Sequence, residues 1–251
     1  MRVGRVTLWT VLSTALIVFL LECALYVSNA RAVERARQLL QEVRSLSPGQ
    51  TTEQDIRKIV QQYGGDTGTR WGDDCGQIGP SSKTYSVDVE SEWNNWLGLR
   101  DILHNTHLRL FGATGWRANA FFGTQSGHLT CVHYRVDSMP RSAASVWASV
   151  DYRIINEANG DPPLALSFVN VHNLKRLEAD VNTKSSPALR DSAFDLNLAC
   201  LMRIGGCRNV CEVMPSAWRD YVTKARAEGD AVPNERTLPS DELADPRCKV
   251  P

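Results

Sequence analysis

From Val6 to Val27 the chain is apolar apart from Thr7, Thr10, Ser13, Thr14 and Glu22, and that run constrains the fold more than any other feature. As a helix it is roughly 33 Å long, against a hydrocarbon core of about 30 Å. Three fates are open to it: lipid attachment at Cys23, cleavage, or retention as a membrane helix. Lipid-attachment signals carry a small residue just before the cysteine, and here Glu22 stands there. Lipidation of Cys23 is excluded on that ground. Ser28-Asn29-Ala30 has the small-residue spacing of a signal-peptidase site. Against cleavage, apolar character continues through Ala24, Leu25, Tyr26 and Val27, and Tyr26 suits a membrane interface. A transmembrane anchor over residues 1–30 is the preferred reading, with a cleaved signal peptide as its alternative. Arg2 and Arg5 precede the run and Arg31, Arg35 and Arg37 follow it, so flanking charge does not orient it. Either reading makes the lipid bilayer the partner of residues 6–27 and puts residues 31–251 on the exported face, periplasmic or extracellular.

The cysteines point to the same compartment. Of seven, Cys23 lies in the apolar run, leaving Cys75, Cys131, Cys200, Cys207, Cys211 and Cys248 as disulfide candidates. Six cysteines in an exported domain allow about 15 full connectivities, which sequence does not separate. Cys200, Cys207 and Cys211 form a dense cluster, and at helical spacing Cys207 and Cys211 face one side. The cluster has neither the paired knuckles of a zinc site nor a redox C-x-x-C, so structural disulfides are the expectation. Cys75 follows a Gly-rich polar loop that a crosslink to the C-terminal region would restrain. Charge balances at 28 basic and 28 acidic residues. A chain without Lys/Arg clusters lacks the electrostatic footprint of a nucleic-acid binder.

Beyond residue 30 the pattern turns amphipathic. Val33, Ala36, Leu40 and Val43, flanked by Ala32, Leu39 and Leu46, predict a helix over residues 31–46. Ser47-Pro48-Gly49-Gln50 breaks it, Thr51 and Gln54 form a capping-box pattern, and Ile56, Ile59, Val60 and Tyr63 line a second helix stopped by Gly64-Gly65. Residues 31–65 therefore read as a helix hairpin. Near residue 84 the period changes to two. Residues 85–90, 117–122, 129–136, 145–155 and 164–169 read as strands, with a Gly-bearing turn at Gly123–Gly127 and a Pro-rich turn near Asn159. This predicts an antiparallel sheet of about five strands over residues 84–170. Residues 171–227 carry C-terminal helices, chiefly 188–202 and 215–227, and 228–251 reads as an irregular tail. The fold class is α+β, with the N-terminal transmembrane helix, the hairpin packed on the sheet, and C-terminal helices closing the structure.

Residues 46–64, L-S-P-G-Q-T-T-E-Q-D-I-R-K-I-V-Q-Q-Y-G, resemble the opening of SmpA/OmlA-like outer-membrane assembly lipoproteins. Leu46, Gly49, Thr51, Ile56, Ile59 and Gly64 carry the likeness, while the lipid-attachment signal and a proline after the terminal glycine are missing. The whole layout resembles single-span bacterial envelope proteins. The resemblance implies a place in the cell envelope and no particular activity.

No stretch carries a specific catalytic or cofactor signature. Cys131 and His133, two apart on a predicted strand, share its solvent side with Arg135, opposite Val132, Tyr134 and Val136. An imidazole beside a thiol could activate it as a nucleophile. His104 and His107 lack the carboxylate that would complete a metal shell. Asp73 and Asp74 lack the spaced oxygen ligands of a calcium loop. Ser126 sits in a hairpin, not in the strand-turn-helix of a hydrolase elbow. Trp93, Trp96 and Trp116 could line a groove, or fill the core. No role is read for His128 or His172. The sequence thus predicts a non-catalytic envelope protein, without cofactor or metal, that binds or organises another envelope component. The alternative is an exported enzyme, hydrolase or thiol-dependent, assembled from distant residues such as Cys131 and His133. A third possibility is oligomerisation through the helix over residues 31–46.

Overall fold

The computed structural model describes residues 2–67, 82–90, 115–139, 145–155, 162–171, 174–203, 206–228 and 248. Its first element, α1, runs unbroken from Arg2 to Ser45. Two chemically different halves share that one helix. The C-terminal half buries Ala32, Val33, Ala36, Leu39, Leu40 and Val43, the stripe its periodicity predicts. In the N-terminal half Trp9, Val11, Leu12, Leu16, Ile17, Phe19, Leu20, Tyr26 and Val27 are exposed. The expected boundary at residue 30 is therefore not a break in the backbone.

The transmembrane helix of the sequence reading is corrected here: among the described residues no helix is long and apolar enough to cross a membrane. The apolar run is uneven and does not end the helix. Thr10, Ser13, Thr14 and Glu22 interrupt the apolar run, and the same helix continues into Glu34, Arg35, Arg37, Glu42 and Arg44. Thr14 spends its hydroxyl locally, donating to the Thr10 carbonyl at 2.9 Å.

The turn after α1 brings in α2 (Glu53–Tyr63), completing the expected hairpin. Its N-cap is Thr52, one residue later than the capping-box pattern suggests. The Thr52 hydroxyl oxygen accepts from the Asp55 backbone N–H at 3.3 Å, while the Thr51 hydroxyl accepts from Ser47 N at 2.9 Å and closes the turn. Gly49 and Gly64 hold positive φ, 85° and 70°, where a Cβ would be strained. The turn is stitched to the sheet, since Gly49 N donates to the Leu129 carbonyl at 2.7 Å and Leu129 N to that of Thr51 at 2.9 Å.

The sheet has seven strands, not about five, and it is mixed. They are β1 (Asp66–Thr67), β2 (Ser82–Glu90), β3 (Gly115–Gln125), β4 (His128–Met139), β5 (Ser145–Arg153), β6 (Leu164–Val171) and β7 (Leu174–Asn182). Their spatial order is β1-β2-β3-β4-β5-β7-β6. All neighbours are antiparallel except β5 and β7, which pair in parallel. The first strands form the meander that alternation predicts. β7 falls where helices were expected: its inward positions are Lys175, Leu177, Ala179 and Val181, two of them weak markers of a core face. The β6–β7 hairpin folds back so that β7, not β6, meets β5.

One face of the sheet carries the helices. Trp116, Phe122, Tyr134, Val136, Val150 and Leu177 point into that core, and the Tyr134 hydroxyl donates to the Ala36 carbonyl at 3.0 Å. The single C-terminal helix expected over residues 188–202 is two pieces, α3 (Pro187–Ala193) and a 3-10 turn (Leu198–Met202), separated by Asp195-Leu196-Asn197. A short α4 (Val210–Val213) and then α5 (Pro215–Glu228) follow. Trp218 and Tyr221 of α5 pack on Phe168 of β6 with ring centroids 5.2 and 5.9 Å away.

Candidate functional site

The most polar buried region is the other face of the sheet. A strand sends alternate side chains to opposite faces, so β4 gives Val132, Tyr134 and Val136 to the helices and Cys131, His133, Arg135 and Asp137 to this one. That division is the one read from the sequence. The expected solvent exposure is not found, because Cys131, His133 and Asp137 are each 5% exposed or less. Cys131 is disulfide-bonded. Its sulfur offers no thiolate, and the nucleophile of the thiol-dependent alternative is removed for that reason.

Strand register explains what the face brings together. Phe121, His133, Asp151 and Asp180 lie level across β3, β4, β5 and β7. His133 Nδ1 sits 2.7 Å from Asp151 Oδ1, and its ring centroid is 5.8 Å from that of Phe121. Asp151 and Asp180 are register partners on β5 and β7, and the Asp180 carboxyl is pushed up to about 6 by burial first and by the Asp151 charge second. Sequence reasoning missed both aspartates. Asp151 sits in a strand read only for its apolar side, and Asp180 in a strand read as helix.

The next levels are also paired within the face. Arg135 Nε donates to Asp137 at 2.5 Å, and its guanidinium lies 3.9 Å from the Trp147 ring centroid. Burial raises the Asp137 carboxyl, opposed by Arg135. Glu178 accepts from Arg176, from Ser149 at 3.4 Å and from Ser167 at 3.2 Å. Arg117 reaches Glu90 at 3.2 Å, and Asn119 donates to Asp88. Among the described residues no group of three His, Cys, Asp or Glu side chains is placed to hold a metal ion. What the His133–Asp151–Asp180 row can do chemically is share and move protons.

The C-terminal cysteines form two bonds. Cys200 joins Cys207 with Cα atoms 4.9 Å apart, and Cys211 joins Cys248 at 5.3 Å. Cys207 and Cys211 therefore belong to different bonds, though the spacing suggested one helix face. Near them, Lys175 Nζ donates to Asn209 Oδ1 at 3.1 Å, and its pKa is lowered by burial and held up by Glu212. Cys23 is free and exposed. Disulfide bonding of this kind belongs to an oxidising, extracytoplasmic environment. Cys75, the Asp73–Asp74 pair, Trp93, Trp96, His104, His107 and His172 lie outside the described residues, as does most of the tail over 228–251. Trp116 is a core residue, 1% exposed, so it lines no groove. His128 opens β4 next to the turn.

No protein-family model, curated protein or solved structure matches this chain. The likeness of residues 46–64 to SmpA/OmlA-like proteins rests on that stretch alone.

Proposed function

We propose that this is a non-catalytic, extracytoplasmic envelope protein, held at a lipid bilayer through residues 6–27, whose folded domain binds another envelope component. The observation that carries the reading is the exposed apolar half of α1. At 100° per residue its exposed large apolar side chains cover about 240° of the helix circumference, leaving about 120° around Thr10 and Thr14. A helix apolar on most sides is ordinarily buried in protein or lipid. Contact with lipid asks for an apolar surface of this kind and does not require a span.

Retention of the segment, rather than cleavage after Ala30, is supported by Asn29. Its amide accepts from the Trp116 indole N–H at 2.7 Å and donates to the Leu201 carbonyl at 3.2 Å. Loss of Asn29 would strip a buried donor of its partner, a cost of about 1–3 kcal/mol. The thiol-dependent alternative lacks its nucleophile, because the Cys131 sulfur is already bonded.

The test is fractionation of the native envelope, followed by alkylation without reductant and an intact mass. Recovery with membranes, release by detergent, a full-length mass and alkylation at Cys23 support the reading. Recovery in the cytosol with all seven thiols alkylated overturns it.

A further inference from the structure

The parallel pair β5·β7 is the seam by which the β6–β7 hairpin joins the sheet. Its register sets Asp151 beside Asp180 on the face away from the helices. Neighbouring strands lie about 4.8 Å apart, so two carboxyls at one level are within reach of each other. Two ionised carboxylates can only accept, so a hydrogen bond between this pair requires a proton on one of them. His133, level with Asp151 on its other side, engages Asp151 through Nδ1.

The other charges around Asp180 can be read from the register. β5 adds Arg153, which favours the ionised form, and β7 adds Glu178, which opposes it. β6 presents the uncharged Ala165 opposite Asp180, with Ser167 beside it. β4 contributes His133 beyond Asp151. Arg153 is the one cation among these that bears directly on Asp180, and burial with Asp151 outweighs it.

We propose that Asp151 and Asp180 form a proton-operated clasp: with one shared proton they tie the β6–β7 hairpin to β5, and without it they set two negative charges side by side at that seam. Folding raises the Asp180 carboxyl from 3.8 to about 6. The closed seam therefore keeps its proton in a window where an opened one has lost it. The stabilisation is complete below about pH 3.8, falls as the pH rises, and is lost above about 6. The outermost two strands of the sheet are thus looser at neutral pH than in mild acid.

Hydrogen exchange of the full-length chain tests this, with rates corrected for intrinsic pH dependence. Between pH 5 and pH 7.5 the opening constant of β6 and β7 amides should rise about tenfold, one decade per pH unit up to the folded value. Amides of β2 and β3 should not follow. Asp180→Asn donates a hydrogen bond to Asp151 at any pH, so its β7 protection should be flat. If Asp180→Asn keeps the wild-type pH dependence, or if wild-type β7 shows none, the clasp is overturned. A carboxyl carbon-13 titration of the unsubstituted chain gives an independent reading. One aspartate titrating near pH 6, with its signal absent in Asp180→Asn, supports the clasp, and all aspartates titrating in the ordinary range refute it.

Discussion

Asn29 links the exposed half of α1 to the core with a single amide. Because its partner is the indole N–H of a fully buried tryptophan, it outweighs the exposed ion pairs nearby. Glu34–Arg37 and Lys58–Asp55 are such pairs, and surface pairs typically contribute about 0–1 kcal/mol. Asn29→Ala is expected to cost about 1–3 kcal/mol in urea unfolding followed by tryptophan fluorescence. Glu53 gives a second test at this scale. Tyr85 donates to it at 2.6 Å, with Lys83 and Arg57 beside it, and together they draw its carboxyl down to about 2. A depressed folded value means stability that is present above about pH 4.5 and fades as the pH falls toward 2. A pH series of unfolding midpoints should show this slope, shallower in Glu53→Gln. The interaction is modest, because Lys83 and Arg57 are themselves largely exposed.

At the scale of elements, local chemistry decides some features and distant pairing decides others. The α1–α2 hairpin was legible because its signals are local: a 3.6-residue stripe, a capping threonine and a glycine stop. The cap itself tests that account, and Thr52→Ala should cost about 1 kcal/mol while Thr51→Ala opens the turn at Ser47. β2 to β5 were legible from alternation. β7 was not, since Lys175 fills an inward position and is satisfied by Asn209 and Glu212, groups that only the folded chain brings near. Strand order was hidden for the same reason, as nothing in β6 or β7 alone says which will meet β5. At the candidate site the faces of Cys131 and His133 were readable, but their burial and the two aspartates were not. The Cys211–Cys248 bond spans 37 residues. Replacing both cysteines with serine should lower stability by about 2–4 kcal/mol, measured as the midpoint of thermal unfolding against a reduced wild-type control.

As a whole, the molecule is a sheet with helices on one face, polar pairs on the other, and one helix extending beyond both. The extension carries the lipid reading, and substitutions on its surface test it without touching the core. Leu12, Leu16 and Phe19 lie on one side of α1 and are all exposed. Lysine at the three positions should cut flotation with phospholipid vesicles by at least about tenfold per residue, given roughly 1.5–3 kcal/mol for each apolar side chain. Unfolding midpoints should stay unchanged. α1 has a mechanical consequence as well. Its 44 residues make a rod of about 66 Å, half fixed in the core and half outside it, with no hinge between them. A flexible tether would let the domain tumble and sample every orientation toward whatever holds its end. A stiff axle does not: any tilt of the outer half turns the sheet through the same angle, and the distance between the attachment and the polar face becomes a fixed length.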